Sequence, residues 1–219
     1  MTKQQRGQER REAILAAADV LFRQQGYAAT SMRQIAEAAG YGSAVSGLYN
    51  HFANKEAIFE ALLISRSPYQ DLLAALEQVE GETFEVFLHN WFSALWPIML
   101  AHQNFLQLVF IELQEFEGRT LGRFLGTFLP RYFELFMRIT HMPRVRQDLP
   151  LPVLVRTVAA AMIGYLLTEI VAREAIKDSP AFPMAVGEEW IDGLVAILVR
   201  GMSNLPDDGG PSTEGDQHD

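Results

Sequence analysis

Residues 26–63 read GYAATSMRQIAEAAGYGSAVSGLYNHFANKEAIFEALL, and their punctuation predicts short helices in close succession. Ser31 and Gln34 stand at capping-box spacing, and Met32, Ile35, Ala36 and Ala39 then form an apolar side that stops at Gly40. After the linker Tyr41, Gly42 and Ser43, with Ser43 as candidate N-cap, a third short piece sets Val45, Leu48, Tyr49 and Phe52 on its inner side. Asn54 then caps a fourth helix beginning at Lys55. Upstream, Ile14, Leu15, Ala18, Leu21 and Phe22 make one helical stripe ending at Gly26. Two short helices joined by a glycine-containing turn and packed on a preceding helix are the parts of a helix-turn-helix, whose second short helix enters the DNA major groove. Such a helix needs an apolar anchor, small residues where its backbone nears the bases, and hydroxyls or amides near the phosphates. Ala44, Ser46, Gly47, Tyr49, Asn50 and His51 supply these.

The chain's 219 residues allow one large domain or two small ones, and 49% hydrophobic with 21% charged residues excludes disorder of the whole chain. With no Cys there is no disulfide framework, Cys-ligated zinc or thiol nucleophile, which fits a reducing, cytoplasmic setting. The opening MTKQQRGQERRE has no apolar stretch behind it, so no secretory signal is expected. Val86 to Ile111 carries no Asp, Glu, Lys or Arg, yet His89, Asn90, Pro97, His102, Gln103 and Asn104 interrupt it. The apolar runs between them are too short to cross about 30 Å of hydrocarbon, and no membrane partner is expected.

The net charge of -9 conceals a split. Residues 1–55 hold seven basic side chains, Lys3, Arg6, Arg10, Arg11, Arg23, Arg33 and Lys55, against four acidic ones, a net +3, while the remainder carries -12. A small basic head on an acidic body suggests that only the head meets a polyanion. Beyond Lys55 helical periodicity continues, predicting helices near 55–79, 82–101, 104–117, 119–141, 151–177 and 187–203, with no strand alternation. The final LPDDGGPSTEGDQHD has almost nothing to bury and is expected to be a disordered acidic tail.

GYAATSMRQIAEAAG followed by SGLYNHFANKEAIFEALL resembles the N-terminal domain of the tetracycline-repressor (TetR) family of bacterial regulators. The likeness rests on Thr30-Ser31, Ile35-Ala36, Ala39-Gly40, Leu48-Tyr49, His51-Phe52 and Lys55-Glu56 in the family's order, and covers residues 10–63. It implies phosphate contacts by Thr30, Ser31, Tyr49, His51 and Lys55, the last aided by the helix dipole. Base readout then falls to Arg33, Ala44, Val45, Ser46 and Asn50, with core the equal alternative for Val45. Between Gly40 and Tyr49 the chain has two residues more than the family usually has, and the glycines at 40 and 42 are placed to absorb them. No charged residue lies between Gly40 and Asn54, so an arginine on guanine can come only from Arg33 or the N-terminal arm. Modest per-base discrimination and reliance on thymine methyls and DNA shape follow.

Thirteen of the 23 aromatic residues lie within 83–136. Aromatics at helical spacing are ordinarily core, but a regulator of the kind resembled would hold a small-molecule cavity among them. Candidate ligand-binding residues are His89, Trp91, Phe92, Trp96, Phe105, Gln107, Phe110, Glu112, Phe133 and Glu169. Glu112 and Glu169, set in strongly apolar helices, must be paired or face a pocket. The expected effector is apolar, aromatic or acyl. The last two helices are apolar nearly all round, which predicts a homodimer through a four-helix bundle.

No phosphate loop, metal-ligand spacing or nucleophile elbow appears, so no enzyme, cofactor or metal is expected. The expected fold is all-α: a three-helix DNA-binding domain at 1–54, a larger helical effector and dimerisation domain at 55–205, and a tail at 206–219. In the matching mechanism, effector binding shifts the two heads off their operator spacing, with helix four as lever and Pro68 as hinge. The alternative is an all-helical small-molecule carrier with a non-functional head.

Overall fold

The computed structural model describes residues 2–42, 45–176 and 189–203. Ser43, Ala44 and the tail expected at 206–219 lie outside them, and so do the cap assigned to Ser43 and the base contact assigned to Ala44. The helices are α1 (Lys3–Gln25), α2 (Met32–Ala38), α3 (Ser46–Tyr49), α4 (Lys55–Arg66) and α5 (Tyr69–Glu77), then α6 (Phe84–Ala101), α7 (Phe105–Phe116), α8 (Arg119–Thr140), α9 (Leu151–Ile176) and α10 (Glu189–Met202). Among the described residues there is no strand, only an isolated antiparallel bridge between Val145 and Ser203.

The helix starts follow local chemistry. Ser31 Oγ accepts the Gln34 N–H while the Gln34 side chain accepts the Ser31 N–H at 2.8 Å, closing the capping box of α2. Thr2 and Gln5 do the same for α1, and Asn54 Oδ1 accepts the Ala57 N–H at 2.8 Å to start α4.

Two expectations are corrected. The single helix over 55–79 is two, because the residue before a proline is driven out of the α region: Ser67, before Pro68, is extended at φ -66°, ψ 130°, and ends α4. Leu48 of α3 and Phe52 just beyond it are buried and Val45 is half-buried, whereas Tyr49, expected on the inner side, is 57% exposed. A step of about 100° per residue turns Tyr49 away from the side on which Leu48 is buried.

The chain forms two compact units, Met1–Leu72 with Ile98–Arg131, and Leu73–Pro97 with Tyr132–Asp219. The boundary expected at 54/55 lies inside the first of these units, which also takes in α4 and α7. Ile14, Leu15, Phe22, Ile35, Leu48 and Phe52 share one cluster with Ile58, Phe59, Leu62 and Leu63 of α4 and with Phe105, Leu108 and Phe116 of α7. At its centre Phe59 stacks on Phe116 at 5.1 Å between ring centres, with Tyr27 edge-on to both. In the second unit the buried residues include Phe87, Leu88, Trp91 and Phe92 of α6, Leu154, Val158 and Leu166 of α9, and Ile191 and Leu194 of α10. The Arg146 N–H donates to the Met202 carbonyl at 2.9 Å, fastening the segment after α8 to the end of α10.

Candidate functional site

The turn between α2 and α3 is closed by backbone and ring together. The Tyr41 N–H donates to the Ala36 carbonyl at 2.9 Å, and Gly40 and Gly42 both take positive φ, 84° and 57°, a region that side chains disfavour. The Tyr41 ring then lies against Gly47 inside α3: a Cβ there would sit 2.3 Å from Tyr41 Cδ1 and 2.6 Å from Cε1. Only a residue without a side chain lets the ring lie so close, so Gly47 and Tyr41 set the pose of α3 as a pair. Leu48 and Phe52 hold it from beneath, and Ser46, Tyr49 and Asn50 are left exposed, with His51 half-buried.

The other expected DNA contacts divide into free and engaged groups. Ser31 is exposed, with its hydroxyl capping α2. Arg33 is exposed and pairs with Glu37 one turn on, at 3.0 Å, a solvated pair that yields readily. The phosphate contact implied for the Thr30 side chain is corrected. Thr30 is 1% exposed, and its hydroxyl donates to the Gly26 carbonyl at 2.8 Å and accepts from the Gln25 amide at 3.2 Å. Lys55 also has an internal task, because Nζ donates to the Tyr27 and Thr30 carbonyls at 2.8 and 2.7 Å and lies 4.1 Å from the Tyr27 ring centre. Partial burial lowers the Lys55 pKa, opposed by the Glu115 carboxylate, and burial raises that of Tyr27. Lys55 thus ties the start of α4 to the α1–α2 connection.

The residues expected to bind an effector fall into both units. In the first, Phe105 is core, Gln107 and Phe110 are exposed on α7, and Glu112 is fully buried. Glu112 Oε1 accepts the Thr120 and Leu121 N–H groups at 2.6 and 3.2 Å, which starts α8 from a side chain of α7. In the second, Trp91 and Phe92 are buried and Trp96 lies 4.5 Å from Trp190. Tyr165 stacks on Trp190 at 4.6 Å, an aromatic partnership across α6, α9 and α10 in which sequence reasoning did not include Tyr165 and Trp190. Their one signal was aromatic character in the helices assigned to dimerisation. His89 meets Asp192 at 3.2 Å, Glu169 pairs with Arg173 at 2.6 Å, and Phe133 is exposed. Two apolar recesses in this unit, one beside Trp91 and Phe136 and one beside Leu151 and Met202, each have room for about 10 Å³, one water's worth.

Residues 14–62 match the family described as bacterial regulatory proteins, tetR family. Two curated relatives are similar over the same end. An uncharacterized HTH-type transcriptional regulator of Bacillus subtilis, YvkB, is 38% identical over 76 residues, 35% of this chain and 38% of that protein. The HTH-type transcriptional repressor ComR of Escherichia coli is 37% identical over 89 residues, 39% of this chain and 40% of that protein. The chain therefore spans about two fifths of the length of the curated relatives it matches. A solved TetR family transcription regulator from Marinobacter aquaeolei is alike over 92% of this chain and 100% of its own, with TM-score 0.62 and 19% identity, a likeness of fold.

Proposed function

We propose that the chain, whose residues 14–62 match the tetR family of bacterial regulatory proteins, is a member of that family and a cytoplasmic, homodimeric transcriptional repressor released from a palindromic operator by a small apolar or aromatic effector. The observation that carries this reading is the segment of α3 and the residues after it, which buries Leu48 and Phe52 and leaves Ser46, Tyr49 and Asn50 exposed within a head that matches the family. In this reading Arg33, Ser46 and Asn50 reach base edges, and Ser31, Tyr49 and His51 hold phosphates.

Dimerisation is supported by large apolar side chains left exposed on the last two helices, Val153, Ile163 and Val171 of α9 and Ile197 of α10. Leu151–Arg173 is long and apolar enough to cross a membrane, and a partner's helices offer it the alternative of burial in protein. Effector binding is supported by the cluster of Trp91, Phe92, Trp96, Tyr165 and Trp190, whose rearrangement would open space between aromatic faces.

Selection of tight binders from a random duplex library, followed by fluorescence anisotropy, tests the reading. A palindromic consensus bound far more tightly than mixed-sequence DNA is the expected result, with Tyr49→Ala weakening it at least tenfold. Binding indifferent to sequence would favour a carrier with an idle head.

A further inference from the structure

The head's basic charge is concentrated away from α3. Of its seven cations, Arg23 pairs with Asp19, Arg33 with Glu37, Lys55 serves two carbonyls and Arg11 lies over the Phe52 ring at 4.9 Å. Lys3, Arg6 and Arg10 make no ion pair among the described residues, and all are exposed. They recur at helical spacing along one side of α1, while Glu12 is drawn off to Arg66. The first buried residue of α1 is Ile14, so the turns that carry the three cations have no core beneath them. Helix stability does not account for them, since Lys3 and Arg6 stand at the positive end of the helix dipole and the first turn holds no acidic residue. The Arg11–Phe52 contact fixes where this segment leaves the head: beside the residue that follows Tyr49, Asn50 and His51.

We infer that the first turns of α1 are a second DNA-contacting element, a helical rail on which Lys3, Arg6 and Arg10 neutralise backbone phosphates flanking the bases faced by α3. This rests on the regulator reading and adds the source of its electrostatic attachment, which α3, uncharged from end to end, cannot provide.

The test is the salt dependence of binding to a fluorescein-labelled duplex of mixed sequence, followed by anisotropy across a KCl series. Each phosphate contact removed should flatten the slope of log K against log[KCl] by about 0.9. The variant K3Q/R6Q/R10Q is expected to lose about 2.7 from the slope per head, with an unchanged thermal midpoint, and the charge-preserving K3R/R6K/R10K to keep the wild-type slope. An intact wild-type slope in the glutamine variant would overturn the rail and leave the regulator reading standing. Absence of salt-dependent binding by the wild type would overturn both.

Discussion

A methyl group at Gly47 has nowhere to go unless the Tyr41 ring moves, so Gly47→Ala is expected to tilt α3 and weaken operator binding by tenfold or more. In a Tyr41→Ala background the obstruction is gone and the same substitution should cost little. A double-mutant cycle on DNA affinity measures this coupling, expected at roughly 0.5–3 kcal/mol for residues in contact. Glu112 offers a stability counterpart, because Glu112→Ala leaves the Thr120 and Leu121 N–H groups unpaired in a buried place. A loss of about 1–3 kcal/mol in urea unfolding is expected, with Glu112→Gln, which keeps an acceptor oxygen, losing less. Whether such roles can be read in advance depends on how far the contact reaches along the chain. Ser31 with Gln34, and Asn54, were legible because a cap acts over three residues. The internal bonds of Lys55 were not legible, because the groups that engage it lie 25 and 28 residues away, and neither was the burial of Thr30.

Among the elements, helix existence was legible from periodicity, and so were the stop of α1 at Gly26 and the starts of α2 and α4 from their caps. The split at Pro68 was not given its full weight, since the apolar pattern runs unbroken on both sides of it. What ends α4 is the steric restriction on Ser67, a backbone effect that hydrophobicity does not register. The cap that starts α8 could not be found from α8 alone, because its acceptor belongs to α7. Asn54→Ala tests the strength of a locally written start: removal of its bond to the Ala57 N–H should lower stability by about 1 kcal/mol, seen as a reduced thermal midpoint.

On the scale of the molecule, the exposed apolar side chains of the last two helices set a prediction about assembly. Ile197→Glu places a charge where the dimer reading buries an isoleucine that is 68% exposed in the single chain. Sedimentation equilibrium should shift from dimer to monomer, and operator affinity should fall with it because two half-sites are no longer held together. The candidate effector residues were the least legible set, since composition marks aromatic abundance but not which helix face each ring occupies, and Phe105 and Glu112 were claimed by the head's packing and by a helix start. The order in which the units use the chain also bears on engineering and descent. The head's core takes three residues from α7, some forty positions beyond the end of α4, after the polypeptide has left to build part of the other unit. A chimera cut at a single junction after α4 would therefore graft a head stripped of Phe105, Leu108 and Phe116, and new specificities in this lineage are more readily won by exchanging surface residues of α3 than by shuffling whole heads between bodies.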